Sequence, residues 1–146
     1  KYCINLHVSY SGTLQDKILD FLIQTNLIEY PRKKLQSNFW KHKIEAIRDL
    51  STLKDKDSMA YILKLIEHPN KNIATESLLA LIKYKGLSTL KTLEKYNNFI
   101  DDWSQALIIA VIKNHKIAYD PVVENLLESK NKSLQLLATR VIQFYK

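Results

Sequence analysis

The stretch Asn72-Ile-Ala-Thr-Glu-Ser-Leu-Leu-Ala-Leu-Ile-Lys83 decides the fold. It opens on a small polar residue, whose side chain can accept a hydrogen bond from the free N–H groups of a first helical turn. A face of bulky apolar residues with a small one among them follows. Three further stretches share this form, opened by Asn38, Asp102 and Ser133, so the openings are 34, 30 and 31 residues apart. A period near thirty marks a stacked two-helix repeat. First helices are expected over 39–53, 73–85, 103–115 and 134–145. Second helices are expected over 58–68, 89–97 and 121–129, capped by Asp57, Ser88 and Asp120.

The apolar faces agree with this division. Counted from the openings, Phe39, Ile73, Trp103 and Leu134 lead the first helices and are expected in the core. Ala46, Ala80, Ala110 and Val141 follow seven residues later, where small side chains let helix backbones approach. Beside them stand Ile47, Leu81, Val111 and Ile142. The second helices carry stripes of Met59, Ile62, Leu63 and Ile66, of Leu90 and Leu93, and of Val122, Val123, Leu126 and Leu127. Gly86 stands where a left-handed closing residue is expected, and Pro121 where its missing N–H costs nothing. Ala106-Leu-Ile-Ile-Ala-Val-Ile112 is apolar all round, so this helix is expected to be buried on every side.

Composition points the same way. Only 2 Gly and 3 Pro occur, too few for a turn-rich β protein, and 46% of residues are hydrophobic, enough for a core. The expected class is all-α. A single cysteine, Cys3, excludes an internal disulfide. No run of eighteen apolar residues is present to span a membrane. The net charge is +7, but the lysines are dispersed and arginine occurs only as Arg32, Arg48 and Arg140. Residue 1 is Lys, so the chain reads as an excerpt.

Ahead of the repeats, residues 2–10 read as the end of a helix closed by Ser11-Gly12. Thr13 and Asp16 have capping-box spacing. A helix to about Asn26 would then gather Leu14, Ile18, Phe21 and Leu22 on one face. Glu29-Tyr30-Pro31 breaks the chain, and Arg32–Leu35 forms a short turn. The organisation is thus a helical cap over 1–37, with helices near 2–10 and 14–26 and a basic linker. Repeats follow over 38–71, 72–101, 102–132 and, in part, 133–146.

The runs beginning at Asn72 and at Asp120-Pro-Val-Val-Glu-Asn-Leu-Leu127 resemble HEAT repeats, armadillo-like antiparallel helix pairs, over about 38–146. That resemblance implies a right-handed superhelix, an α-solenoid. The family's arginine just after the leading apolar residue is missing here; Trp40, Ala74, Ser104 and Gln135 take its place. Lys33-Lys-Leu-Gln-Ser-Asn-Phe-Trp-Lys-His-Lys-Ile-Glu-Ala-Ile-Arg-Asp-Leu50 further resembles bacterial HEAT-repeat proteins with an N-terminal membrane anchor. This implies a cytoplasmic location, tethered to the inner face of the membrane through an anchor outside this chain, and a scaffold role rather than an activity.

No residues assemble into a catalytic pattern. His7, His42, His68 and His115 lack a second ligand at zinc spacing, so no metal is expected. Asp101-Asp102 is the one adjacent carboxylate pair, and Asp102 reads as a cap completed by Gln105. Two glycines cannot build a phosphate-cradling loop, and no cofactor is expected. Asn131-Lys-Ser133 matches a glycosylation sequon, with Ser133 already assigned as a cap. The best contact candidate is a basic-aromatic corner of Arg32, Lys33, Lys34, Trp40, Lys41 and Lys43. In HEAT stacks the second helices usually line the concave side, which adds Tyr61, Lys64, Lys91, Lys95, Glu124 and Glu128. The expected function is non-enzymatic binding of another protein. The alternative is a nucleic-acid-binding HEAT-like protein of the DNA-glycosylase kind, which would need a groove of Lys and Arg with an aromatic residue and a carboxylate.

Overall fold

The computed structural model describes residues 12–95 and 99–146, and every regular element among them is helical. The helix expected over 2–10, with Cys3 and His7, lies outside the described residues. The helices are α1 (Thr13–Gln24), α2 (Glu29–Leu35), α3 (Trp40–Leu53), α4 (Lys56–Lys64), α5 (Lys71–Lys85), α6 (Asp102–Asn114), α7 (Val122–Asn125) and α8 (Lys132–Tyr145). The chain forms two compact units, divided between Ala80 and Leu81 within α5. Among the described residues no helix is long and apolar enough to cross a membrane.

The four first helices, α3, α5, α6 and α8, begin at Trp40, Lys71, Asp102 and Lys132, intervals of 31, 31 and 30 residues. The repeat is therefore more regular than the capping residues named from the sequence. The hydrogen bonds show why. Asn70 Oδ1 accepts from Asn72 N–H, Asp101 Oδ1 from Ser104 N–H, and Asn131 Oδ1 from Ser133 N–H. The caps are thus Asn70, Asp101 and Asn131, not Asn72, Asp102 and Ser133. Asn38 is not a cap either: Phe39 precedes α3 with no side-chain cap, and Ser37 Oγ accepts from its N–H.

Aligned on these starts, the seventh residue of each first helix is Ala46, Ser77, Ile108 or Ala138, and all four are completely buried. Of the expected column Ala46, Ala80, Ala110 and Val141, three are buried as expected and Ala110 is exposed. The same shift explains Trp103. Ile73 and Leu134 are third residues and buried, but Trp103 is a second residue, pointing outward at 73% exposure, and Ser104 takes the buried site. Phe39, outside its helix, is half exposed.

First helices close in the left-handed region, at Lys54 (φ 56°), Gly86 (φ 76°) and Lys116 (φ 48°). After Lys54 and Lys116 the next N–H reaches back five residues, Asp55 to Leu50 and Ile117 to Ile112. This satisfies carbonyls that the helix end leaves unpaired. Gly86 was expected there; the two lysines carry no such signal.

The second elements are partly 3₁₀ rather than wholly α-helical. α4 gives way to a 3₁₀ turn at Leu65–Glu67 and α7 to one at Leu126–Glu128, while Gly86–Lys95 is 3₁₀ rather than α-helical. Ser88 does not cap it and instead donates to Lys85 C=O. Asp57 lies inside α4, which is preceded by Asp55, but Asp120 does accept from Val122 N–H. Met59, Ile62, Ile66, Leu90, Leu93, Val123 and Leu126 are buried as the stripes require, whereas Leu127 is exposed.

In the first unit, α2 packs on α3, and α2 starts at Glu29 rather than after Pro31. Pro31 fits in the first turn, where no intrahelical donor is required. Thr13 and Asp16 form no capping box, because Gly12 is the N-cap and no side chain caps α1. Of the expected α1 face, Leu22 is buried, whereas Leu14 and Phe21 are exposed. In the second unit, α8 packs on α6, α7 and the 126–128 turn. Its polar centre is Gln105, buried, whose amide donates to Ile100 C=O and Ser133 C=O and accepts from Arg140. Gln105 therefore joins helices instead of completing a capping box.

Candidate functional site

The basic-aromatic corner folds in the first unit, and its charges are largely spent internally. Arg32, on α2, faces the turn before α4. Its Nε donates to Asp55 Oδ2 at 3.0 Å and one Nη to Asp55 Oδ1 at 2.6 Å, and its guanidinium also meets Glu29 and Asp57 at 3.0 and 2.8 Å. Asp55 is only 4% exposed. Burial pushes its carboxyl upward, but hydrogen bonds from Arg32 and Ser58, with the Arg32 charge, outweigh burial and hold it below the usual range. The same hydrogen bond to Asp55 raises Arg32, against the cost of desolvation.

Lys34 pairs with Glu45, which raises its ammonium. Lys43 is 9% exposed, and its ammonium lies 5.9 Å from the ring centre of Tyr61. Cation–π attraction offsets part of the cost of that burial. Lys41 sits over Trp40 in the same way at 5.6 Å. Arg32, Lys34 and Lys43 thus each have an internal partner in the first unit. Lys33, Trp40 and Lys41 remain on the surface.

The structure joins part of the corner to part of the second-helix set. Arg32 and Tyr61 line one cleft of about 180 Å³ with Leu35, Gln36, Asp57 and Ser58. Lys64 is exposed beyond it. In the second unit Lys91, Lys95, Glu124 and Glu128 are exposed, and Glu124 accepts from Tyr119 OH at 2.8 Å. That bond raises the tyrosine hydroxyl, with desolvation and the carboxylate charge adding to it. Among the described residues no group of three His, Cys, Asp or Glu side chains could hold a metal.

Sequence reasoning missed the surface of α6. Its apolar run is not enclosed: Ser104, Gln105, Ile108 and Ile112 are buried, while Trp103, Ala106 and Ala110 face solvent. Phe99, just ahead, is 76% exposed. A groove of about 450 Å³ between α6 and α8 adjoins it, lined by Ala106, Ile109, Arg140, Gln143 and Phe144. The signal available was the distance from Asp101 rather than from Asp102, which turns the helix by one residue.

These features define a protein whose described residues are all helical where regular, with first helices at a near-constant interval. No protein-family model matches the chain, and no curated protein or solved structure matches it.

Proposed function

We propose that the chain is a non-catalytic, HEAT-like α-solenoid scaffold that binds another protein through its repeat surface. The observation that carries this reading is the recurrence of first helices at 31, 31 and 30 residues, with Lys54, Gly86 and Lys116 closing three of them. Stacked repeats expose extended surfaces, and such surfaces suit binding. Tyr61 and Lys64 in the first unit, and Lys91, Lys95, Glu124 and Glu128 in the second, are each exposed. The nucleic-acid reading is less favoured, because Arg32, Arg48 and Arg140 each pair with a carboxylate. A paired guanidinium is a weaker fork for phosphate.

The test is affinity capture from the cells that make the protein, comparing the native chain with one carrying alanine at those six positions. Loss of the captured protein with unchanged helicity supports the reading. Equal capture by both chains refutes it. Binding of duplex DNA that falls steeply with added salt would favour the alternative instead.

A further inference from the structure

The solvent face of α6 reads Trp103, Ala106, Ala110, Lys113, with Phe99 just before it and Asp102 at the same end. Trp103 and Phe99 are the most exposed large apolar side chains among the described residues. A lone exposed aromatic is ordinary, but a contiguous apolar face marks an interaction site.

The order of residues on this face is self-complementary. In an antiparallel pair of α6 helices centred near Ile108, residue 103 faces 113 of the other copy, and 106 faces 110. Trp103 of each copy then meets the Lys113 ammonium of the other. The chain already uses this chemistry within itself, with Lys41 over Trp40 and Lys43 over Tyr61. Asp102 comes near the same lysine. Ala106 and Ala110 at the crossing let the helix axes approach to about 8 Å, the close end of helix packing.

Charge and area select the occupant. The chain as a whole is +7, but at this face Asp102 is held by Arg140 of α8 at 2.9 Å, and Lys113 is the one further charge that α6 presents. In the antiparallel pair the two Lys113 lie at opposite ends, each against the other copy's Trp103, so no like charges are opposed. Aromatic side chains bury roughly 150–250 Å² each. Four of them, about three-quarters exposed in the single chain, supply roughly 450–750 Å² of the ~1,000 Å² that a specific interface needs. The alanines and the adjoining groove lined by Ile109 and Phe144 extend the same surface.

We propose that two copies of this chain associate through the outer face of α6, antiparallel about a two-fold axis. This is an isologous contact, the commonest symmetry among soluble oligomers. It goes beyond the scaffold reading and does not need it.

Sedimentation velocity of the whole chain over the micromolar range tests the proposal. A concentration-dependent dimer is expected, lost in Trp103→Glu and in Ala110→Glu. Both positions face solvent in the single chain, so helicity and Tm should stay unchanged. Arrangement is tested by disulfide trapping in a Cys3→Ser background. A mixture of Ala106→Cys and Ala110→Cys chains should cross-link in preference to either chain alone. A monomer at every concentration, a dimer that survives both glutamates, or same-site cross-links in excess would overturn the proposal. A monomer that still captured a partner would leave the scaffold reading standing.

Discussion

Arg32 grips Asp55 with two parallel hydrogen bonds, Nε to Oδ2 at 3.0 Å and Nη to Oδ1 at 2.6 Å, and so pins α2 to the turn between α3 and α4. Ser58 adds an O–H donor to the same carboxylate at 2.5 Å. One residue of the expected contact corner thus also holds the first unit's corner together. Its planar fork matches the carboxylate geometry in a way an ammonium cannot.

Asp55→Asn should destabilise the first unit by about 2 kcal/mol, below the 3–5 kcal/mol for a fully buried pair because Arg32 keeps Glu29 and Asp57. Arg32→Lys should cost nearly as much, because one ammonium cannot make both bonds. Urea unfolding in a Trp103→Phe background, followed through Trp40, measures both. A lysine variant as stable as the native chain would show that charge, not the fork, is what matters.

The same carboxylate sets an acid dependence. Asp55 titrates below its ordinary value in the folded chain, so the folded state binds fewer protons than the unfolded one near pH 4. Its stabilisation is present in full above the unfolded value of about 3.9 and is lost as pH falls through the depressed folded value. Stability of the first unit should therefore fall on acidification from about pH 4. In Asp55→Asn that fall should be shallower. Urea midpoints between pH 2 and pH 6 check this, and parallel curves would contradict it.

The all-α class and the period were legible because apolar spacing and cap residues report them directly. Helix starts were not, because adjacent polar residues compete for the cap. Asp101 and Asp102 are chemically alike, as are Asn70 and Asn72, and only backbone direction chooses between them. That one-residue choice turned Trp103 from core to surface. Charge partners were also illegible: Arg32 and Asp55 lie 23 residues apart, and nothing local joins them. The 3₁₀ character of Gly86–Lys95 had no signal in its propensities.

Lys116 and Lys54 hold left-handed conformations that cost an L residue about 1–2 kcal/mol. Lys116→Gly should raise stability by about 0.5–1 kcal/mol, the relieved strain exceeding glycine's larger unfolded entropy. Gly86→Ala should lower it by about 1 kcal/mol. A β-carbon at Gly86 would meet Ile117 Cγ2 at an ordinary 3.8 Å, so the loss would come from φ and not from a clash. Thermal unfolding of the two variants should thus move in opposite directions, and a shift of the same sign in both would remove the argument.

Two neighbouring carboxylates separate the cap from the surface pair. Asp101 accepts from Ser104 N–H at 2.8 Å, while Asp102 meets Arg140 at 2.9 Å from a largely exposed position. Asp101→Ala should cost about 1 kcal/mol, as loss of an N-cap does. Asp102→Ala should cost under about 0.5 kcal/mol, since solvent and salt screen an exposed pair. Gln105→Leu should be the most damaging of the three, at about 2 kcal/mol, because it strands Ile100 C=O and Ser133 C=O at a buried site and removes the acceptor of the partly exposed Arg140. Chemical unfolding of the three variants gives the order. If Asp102→Ala proved costlier than Asp101→Ala, α6 would start one residue later, and Trp103 would turn back toward the core.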